Sequence, residues 1–245
     1  PVVFLLFITK DLSDIFKDIS KKFLFLCFLR GISFVFMQIF FYIAVINMNF
    51  ATAITLTFSS PIFIVVLSVL LLKERIGFFR WSAIFIGFSG VLIIMNPRSE
   101  VFSFFSIFPL LAALCWAISN IVLKFIPDNI SSVKINFYSL NFSYLTSLII
   151  LLLTNDFSSV QGSIHWLLMI SIGILGGVAS ILFSYAYRVI SPSTLAPFEY
   201  LGIPSSFILG WLFFNETPLE QLFPGVIGIV LAGFIIIWRE KKLSI

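Results

Sequence analysis

Long apolar runs that recur along the whole chain constrain its fold more than any other feature. They cover Phe23 to Ile46, Phe50 to Leu72, Phe78 to Met95, Val101 to Leu123, Ile135 to Leu153, Ile164 to Tyr187, Leu195 to Phe214 and Leu222 to Trp238. A bilayer core takes about 20 apolar residues as a helix, so each run is long enough to cross one. The strands of a membrane barrel would instead read as short alternating segments. Only 11% of the 245 residues are charged and 60% are hydrophobic, too little charge to wrap a water-soluble core of this size. The expected fold class is therefore all-α, a polytopic membrane protein. Soluble enzymes and nucleic-acid binders are excluded. Pro1 to Ile8 is an apolar stub too short to span, which leads us to expect a chain that lacks its N-terminal helix.

The connections are short and carry helix breakers, as at Asn47-Met48-Asn49, Asn96-Pro97, Pro127-Asp128-Asn129 and Ser191-Pro192. If the Lys10 to Lys22 loop is cytosolic and each span reverses the chain, 14 of the 15 Lys and Arg residues fall inside and only Arg98 falls outside. The opposite orientation inverts that ratio. The basic pI thus reflects the positive-inside rule and does not call for a polyanionic partner.

Two stretches share one plan, Phe41 to Arg98 and Phe183 to Arg239. Phe41, Ala44, Thr52 and Glu74 match Phe183, Ala186, Thr194 and Glu216 at a constant offset of 142, and Gly90 matches Gly233 after one insertion. The Glu74 turn falls inside and the Glu216 turn outside, so the two stretches run oppositely through the membrane. Inverted repeats are typical of alternating-access carriers. The expected organisation is a first repeat over residues 1–98, short of helix at its N-terminus, and a second over residues 101–242. Each unit would have five helices, ten in a full protein and about nine here.

Several pieces of the sequence resemble the drug/metabolite transporter superfamily, in particular its EamA branch of ten-helix bacterial inner-membrane permeases. They are Ser60-Pro61 running into Leu72-Lys73-Glu74-Arg75, Arg80-Trp81, Gly87-Phe88-Ser89-Gly90-Val91, Ala196-Pro197-Phe198-Glu199-Tyr200, and Gly210-Trp211 running into Asn215-Glu216. The resemblance covers essentially the whole chain. Two departures stand out: Asn215-Glu216 replaces a common Gly-Glu, and Pro204 sits one position late against Pro61. The resemblance implies a multi-pass inner-membrane carrier for a small organic metabolite, a class that includes vitamin and S-adenosylmethionine uptake carriers. The lipid bilayer is its environment, proton coupling or exchange would drive it, and a homodimer stays open as its assembly.

Polar side chains inside spans are the candidates for a solute pathway, because hydrocarbon penalises them unless they face protein or water. Glu199 is the only acid within a span. It should face the bundle interior and bind a proton or the cationic part of a substrate; the plainer alternative is a structural hydrogen bond near Pro197. Gln38 with Tyr42, Trp116 with Asn120, and Tyr138 with Asn141 and Tyr144 recur at three or four residues. Rings and amides at that spacing suit planar polar solutes, or hold helices together. Small residues form two stripes: Ala196, Glu199, Gly202, Ser206 and Gly210, and Gly173, Gly177, Ser180 and Ser184. Ser180 is added to the candidate site on that basis. Arg30 and Arg188 read as snorkelling cations that can also meet an anionic substrate.

Cys27 and Cys115 lie in apolar runs with no ligand spacing, and there is one histidine, His165. Neither a metal, another cofactor nor an enzyme activity is expected. Nor is there a Walker motif, so energy would come from a gradient or from exchange. The rival readings are a drug or metabolite efflux permease, an intramembrane enzyme and a channel.

Overall fold

The computed structural model describes residues 15–16, 19–48, 50–95, 104–154, 162–205, 208, 212 and 224–243. Among them the chain is helical without strands. The helices are α1 (Lys21–Asn47), α2 (Phe50–Thr57), α3 (Ser60–Leu72), α4 (Phe78–Met95), α5 (Ile107–Ile121), α6 (Ser132–Thr154), α7 (Ser163–Val189), the short α8 (Pro192–Leu195) and α9 (Gly225–Leu243). Short 3-10 turns flank α5, and a six-residue 3-10 segment, Ala196–Leu201, continues α8. Seven of the eight apolar runs thus coincide with helix. Five of these helical stretches are long and apolar enough to cross a bilayer, and the two around Phe78–Ile94 and Gly225–Arg239 are shorter.

Two spans depart from continuous helix, and proline is the reason in both. Pro61 lacks an N–H, and its ring opposes the carbonyl four residues back. The run from Phe50 accordingly breaks at Phe58 and Ser59 before α3 begins. At the break the carbonyl of Leu56 accepts from the Ser59 hydroxyl at 2.7 Å and from the Ser59 N–H at 3.1 Å. The run from Leu195 was expected to be one helix; it narrows instead to 3-10 geometry through Pro197 before α-helical residues 202–205. In that tighter helix residues three apart eclipse, which puts Ala196, Glu199 and Gly202 on one face. Ser206 and Gly210 of the same expected stripe lie outside the described residues, as does the Asn215 to Glu220 turn.

The helices form two compact units. In the first, α1 up to Val35 lies against α6, and α7 joins them. Glycine makes the approach possible: a Cβ on Gly31 would come within 2.5 Å of the Ser139 carbonyl oxygen. The Ser143 hydroxyl donates to the carbonyl of Gly31 at 3.0 Å. Edge-on ring pairs, Phe23 with Tyr138 and Phe28 with Phe142, line the same seam. On α7 a Cβ on Gly173 meets nothing within 4 Å, and the polar contacts with α6 come at the other end of the small-residue stripe, from Ser180 and Ser184.

In the second unit, the rest of α1 accompanies α2 to α5, α8, the 3-10 segment and α9. Its tightest crossing is α4 on α9, where a Cβ on either Gly90 or Gly225 would sit 2.5 Å from the other's carbonyl oxygen. Small residues permit this close backbone contact, which gives dispersion energy where no hydrophobic drive exists between helices in lipid. Val91, Ile94, Tyr200, Ile203 and Ile229 form the core beside it, with Phe58 and Phe88 against them. Gly87 leaves room for the Tyr200 ring, which a Cβ there would meet at 2.5 Å. The ring anchors the 3-10 segment and therefore its neighbour, Glu199.

Candidate functional site

Glu199 projects from the 3-10 segment with both carboxylate oxygens engaged. The indole Nε1–H of Trp116, on α5, donates to Oε1 at 2.9 Å. The hydroxyl of Ser60, at the first turn of α3, donates to Oε2 at 3.1 Å. Both donors are neutral. The break before Pro61 creates this arrangement, because it starts a new helix inside the apolar layer and puts the carboxylate beside that helix's N-terminus. Asn120 is buried one turn along α5, and its amide donates to the Trp116 carbonyl at 3.2 Å. It steadies the turn that carries the indole.

A second polar chain closes the end of the same unit where α3 stops. Lys73 caps α3 with φ of 56°, a left-handed conformation unusual for a residue with a Cβ. The turn brings Glu74 to the Ser193 hydroxyl, which donates to its Oε2. That hydroxyl in turn accepts from Arg80 Nη1 at 2.8 Å. Ser193 belongs to α8, so the acid and the base together hold the start of the segment that carries Glu199.

In the first unit the polar group is Arg30, with Asn136, Ser180 and Ser184. Arg30 is buried to 8% exposure. It donates from Nη1 to Asn136 Oδ1 at 3.2 Å and from Nη2 to Ser184 Oγ at 2.8 Å. Ser180 donates to the same Asn136 oxygen at 2.7 Å. Arg188, in the last turn of α7, serves a different purpose: it donates to the carbonyls of Pro127 and Ile130 and faces the exposed Asp128 at 3.9 Å. It fastens a turn.

The nine residues singled out in the sequence therefore separate. Glu199, Trp116 and Asn120 come together in the second unit, and Ser180 joins the Arg30 cluster in the first. Tyr138 is occupied structurally, its hydroxyl donating to the Ile15 carbonyl at 3.0 Å. Gln38, Tyr42, Asn141 and Tyr144 are exposed on their helices, and Asn141 spends its amide on the carbonyl of Phe137 in its own helix. Helical spacing put these residues on shared faces but did not say which face meets protein. Ser60 and Asn136 were not among the nine. Ser60 was visible only as the partner of Pro61; Asn136, an amide just inside a span, carried a signal that the neighbouring tyrosines drew attention from. Among the described residues no group of three His, Cys, Asp or Glu side chains is placed to hold a metal ion.

A carboxylate, an indole and a broken helix inside a bundle of apolar helices define a multi-pass membrane protein with a polar centre in its membrane-spanning region. The chain belongs to the EamA-like transporter family, whose model matches residues 2–96 and again 104–238. It is 33% identical over 190 residues to a riboflavin transporter of Vibrio cholerae, covering 77% of this chain and 63% of that one. It is 28% identical over 191 residues to an S-adenosylmethionine uptake transporter of Rickettsia conorii, covering 78% and 64%. The alignments thus span a little under two thirds of these relatives' length. A solved crystal structure 17% identical to the chain shares its fold, with a TM-score of 0.78 over 100% of this chain and 86% of that one.

Proposed function

We propose that the protein is a secondary carrier that moves a small organic metabolite across a bacterial inner membrane by alternating access, with Glu199 as its coupling group. One observation carries this reading: an intramembrane carboxylate held by two neutral donors, Trp116 and Ser60, on a segment that is not regular α-helix. A carboxylate in that setting is stabilised by dipoles that a proton or a substrate cation can displace. Its cost in an apolar layer makes exchange between the two favourable. The Trp116 ring adds an aromatic face for a planar solute or a cation. The two family matches, and relatives named for riboflavin and S-adenosylmethionine transport, support a metabolite as cargo. The two family matches, over residues 2–96 and 104–238, support an inverted repeat over residues 1–98 and 101–242, the first short of helix, and such a repeat is the construction that two-sided access needs.

The test is solute counterflow and gradient-driven uptake in liposomes, screened against vitamins, nucleosides, amino acids and S-adenosylmethionine. Glu199→Gln keeps the size and hydrogen bonding of the side chain while removing its charge. It should insert and fold normally yet lose gradient-driven accumulation. Wild-type accumulation with unchanged pH dependence in that variant would remove Glu199 from the coupling step.

A further inference from the structure

Arg30 is the unusual cation of the first unit. It is the tenth residue of a 27-residue, mostly apolar helix, where a charged side chain is costly unless it is paired. Among the described residues its hydrogen-bond partners are neutral. Its two bonds go to an amide and a hydroxyl, its Nε is buried with no hydrogen-bond partner, and so three of its five N–H groups remain uncommitted. The acid described in this unit, Asp128, is exposed and faces Arg188. A second buried cation, Lys134, sits 5.9 Å from the ring centre of Phe23, which is seven residues before Arg30 and so on the same face of α1.

The surrounding network is built to orient this charge. Asn136 donates through Nδ2 to the Ser132 carbonyl and to the Ser184 hydroxyl, both at 2.8 Å. Its oxygen is thereby forced toward Arg30 and Ser180. Ser184 donates to the Ser180 carbonyl at 2.6 Å, leaving its lone pairs for Arg30 and Asn136. Every group in the ring has its direction fixed by another. Such a network pre-organises a guanidinium but cannot neutralise it, because dipoles orient a charge without cancelling it. An oxyanion taken side-on by Nε–H and an Nη–H supplies what is missing.

We infer that Arg30, aimed by Asn136 and Ser184, is an oxyanion-binding site that takes the carboxylate or phosphate group of a solute. The inference deepens the carrier reading by giving the cargo an anionic group, and it rests on that reading for the word cargo. Binding itself does not require transport.

The experiment is thermal unfolding of the purified full chain in lipid-free detergent, titrated with sodium acetate or inorganic phosphate against sodium chloride at equal ionic strength and pH. A saturable rise of the midpoint with either oxyanion is expected. Arg30→Gln should abolish it. Arg30→Lys, which keeps the charge but loses the fork, should weaken the apparent affinity about tenfold. Ser184→Ala keeps the guanidinium and loses one positioning hydroxyl, and it should weaken affinity several-fold; it carries the test if Arg30→Gln does not fold. A parallel series in phosphatidylcholine nanodiscs with and without phosphatidylglycerol separates a lipid phosphate from a solute. A rise with phosphatidylglycerol alone that Arg30→Gln removes would overturn the solute assignment. No saturable response in the wild type, or equal responses in wild type and Arg30→Gln, would overturn the site. Intact binding in a chain that shows no counterflow would count against the carrier reading and leave the site standing.

Discussion

Trp116 and Glu199, 83 residues apart in sequence, meet at 2.9 Å through the indole N–H and one carboxylate oxygen. A hydrogen bond to an ionised group contributes about 1.5–3 kcal/mol. Removing this donor should therefore raise the cost of the charged carboxylate and weaken anything that competes for it in that state. Trp116→Phe retains an aromatic ring and deletes the donor. We expect it to fold and to lower counterflow at least tenfold, whereas Trp116→Leu should do so with an added loss of stability. Wild-type counterflow in Trp116→Phe would show that the indole N–H has no part in transport.

The crossing of α4 and α9 leaves no space for side chains at its centre. Gly225→Val would drive a Cβ into the Gly90 carbonyl oxygen and the Ile94 side chain, at 2.5 and 2.6 Å. Overpacking of this kind costs about 1–3 kcal/mol, and the unfolding midpoint should fall accordingly. Gly173→Ala, where a Cβ meets nothing within 4 Å, should leave the midpoint unchanged or raise it. Equal midpoints for Gly225→Val and the wild type would mean that the two backbones do not approach so closely.

Lys73 holds a left-handed backbone at the end of α3, a conformation that costs a residue bearing a Cβ about 1–2 kcal/mol. Replacing it separates backbone from charge. Lys73→Gly should exceed Lys73→Val in stability by about that amount, since a β-branched residue suits the position least. Chemical denaturation of the two variants in the same detergent measures the difference, and indistinguishable curves would argue against the left-handed cap.

The charge pattern assigns the Lys73 turn to the cytosol and the end of α6 to the periplasm. With Cys27 and Cys115 replaced by alanine, Thr154→Cys should react with a membrane-impermeant maleimide in intact cells. Lys73→Cys should react only after the cells are opened. The Thr154 to Gly162 loop should label like Thr154, and Ser191 to Ser193 like Lys73. Labelling at Lys73 from outside would reverse the orientation.

Local chemistry in the sequence was enough to determine that the chain is helical, roughly where each span lies, and which residues are costly enough in lipid to need a partner. A span is legible because a helix satisfies its own backbone groups and because its length is set by the bilayer. Glu199, an acid with apolar neighbours on both sides, was legible for the same reason. Its partners were not: Ser60 is 139 residues away and Trp116 is 83, and nothing in the local pattern says which apolar faces will meet. The tertiary structure alone decided that Pro61 and Pro197 would break their helices where a hydroxyl and a carboxylate could join, that Asn136 and Ser184 would aim Arg30, and that Gln38, Tyr42, Asn141 and Tyr144 would stay exposed. Side-chain neighbours between helices depend on how closely backbones approach. That is set by the fit of small residues such as Gly31, Gly90 and Gly225 against a particular opposing surface, a property of two segments together that neither carries alone.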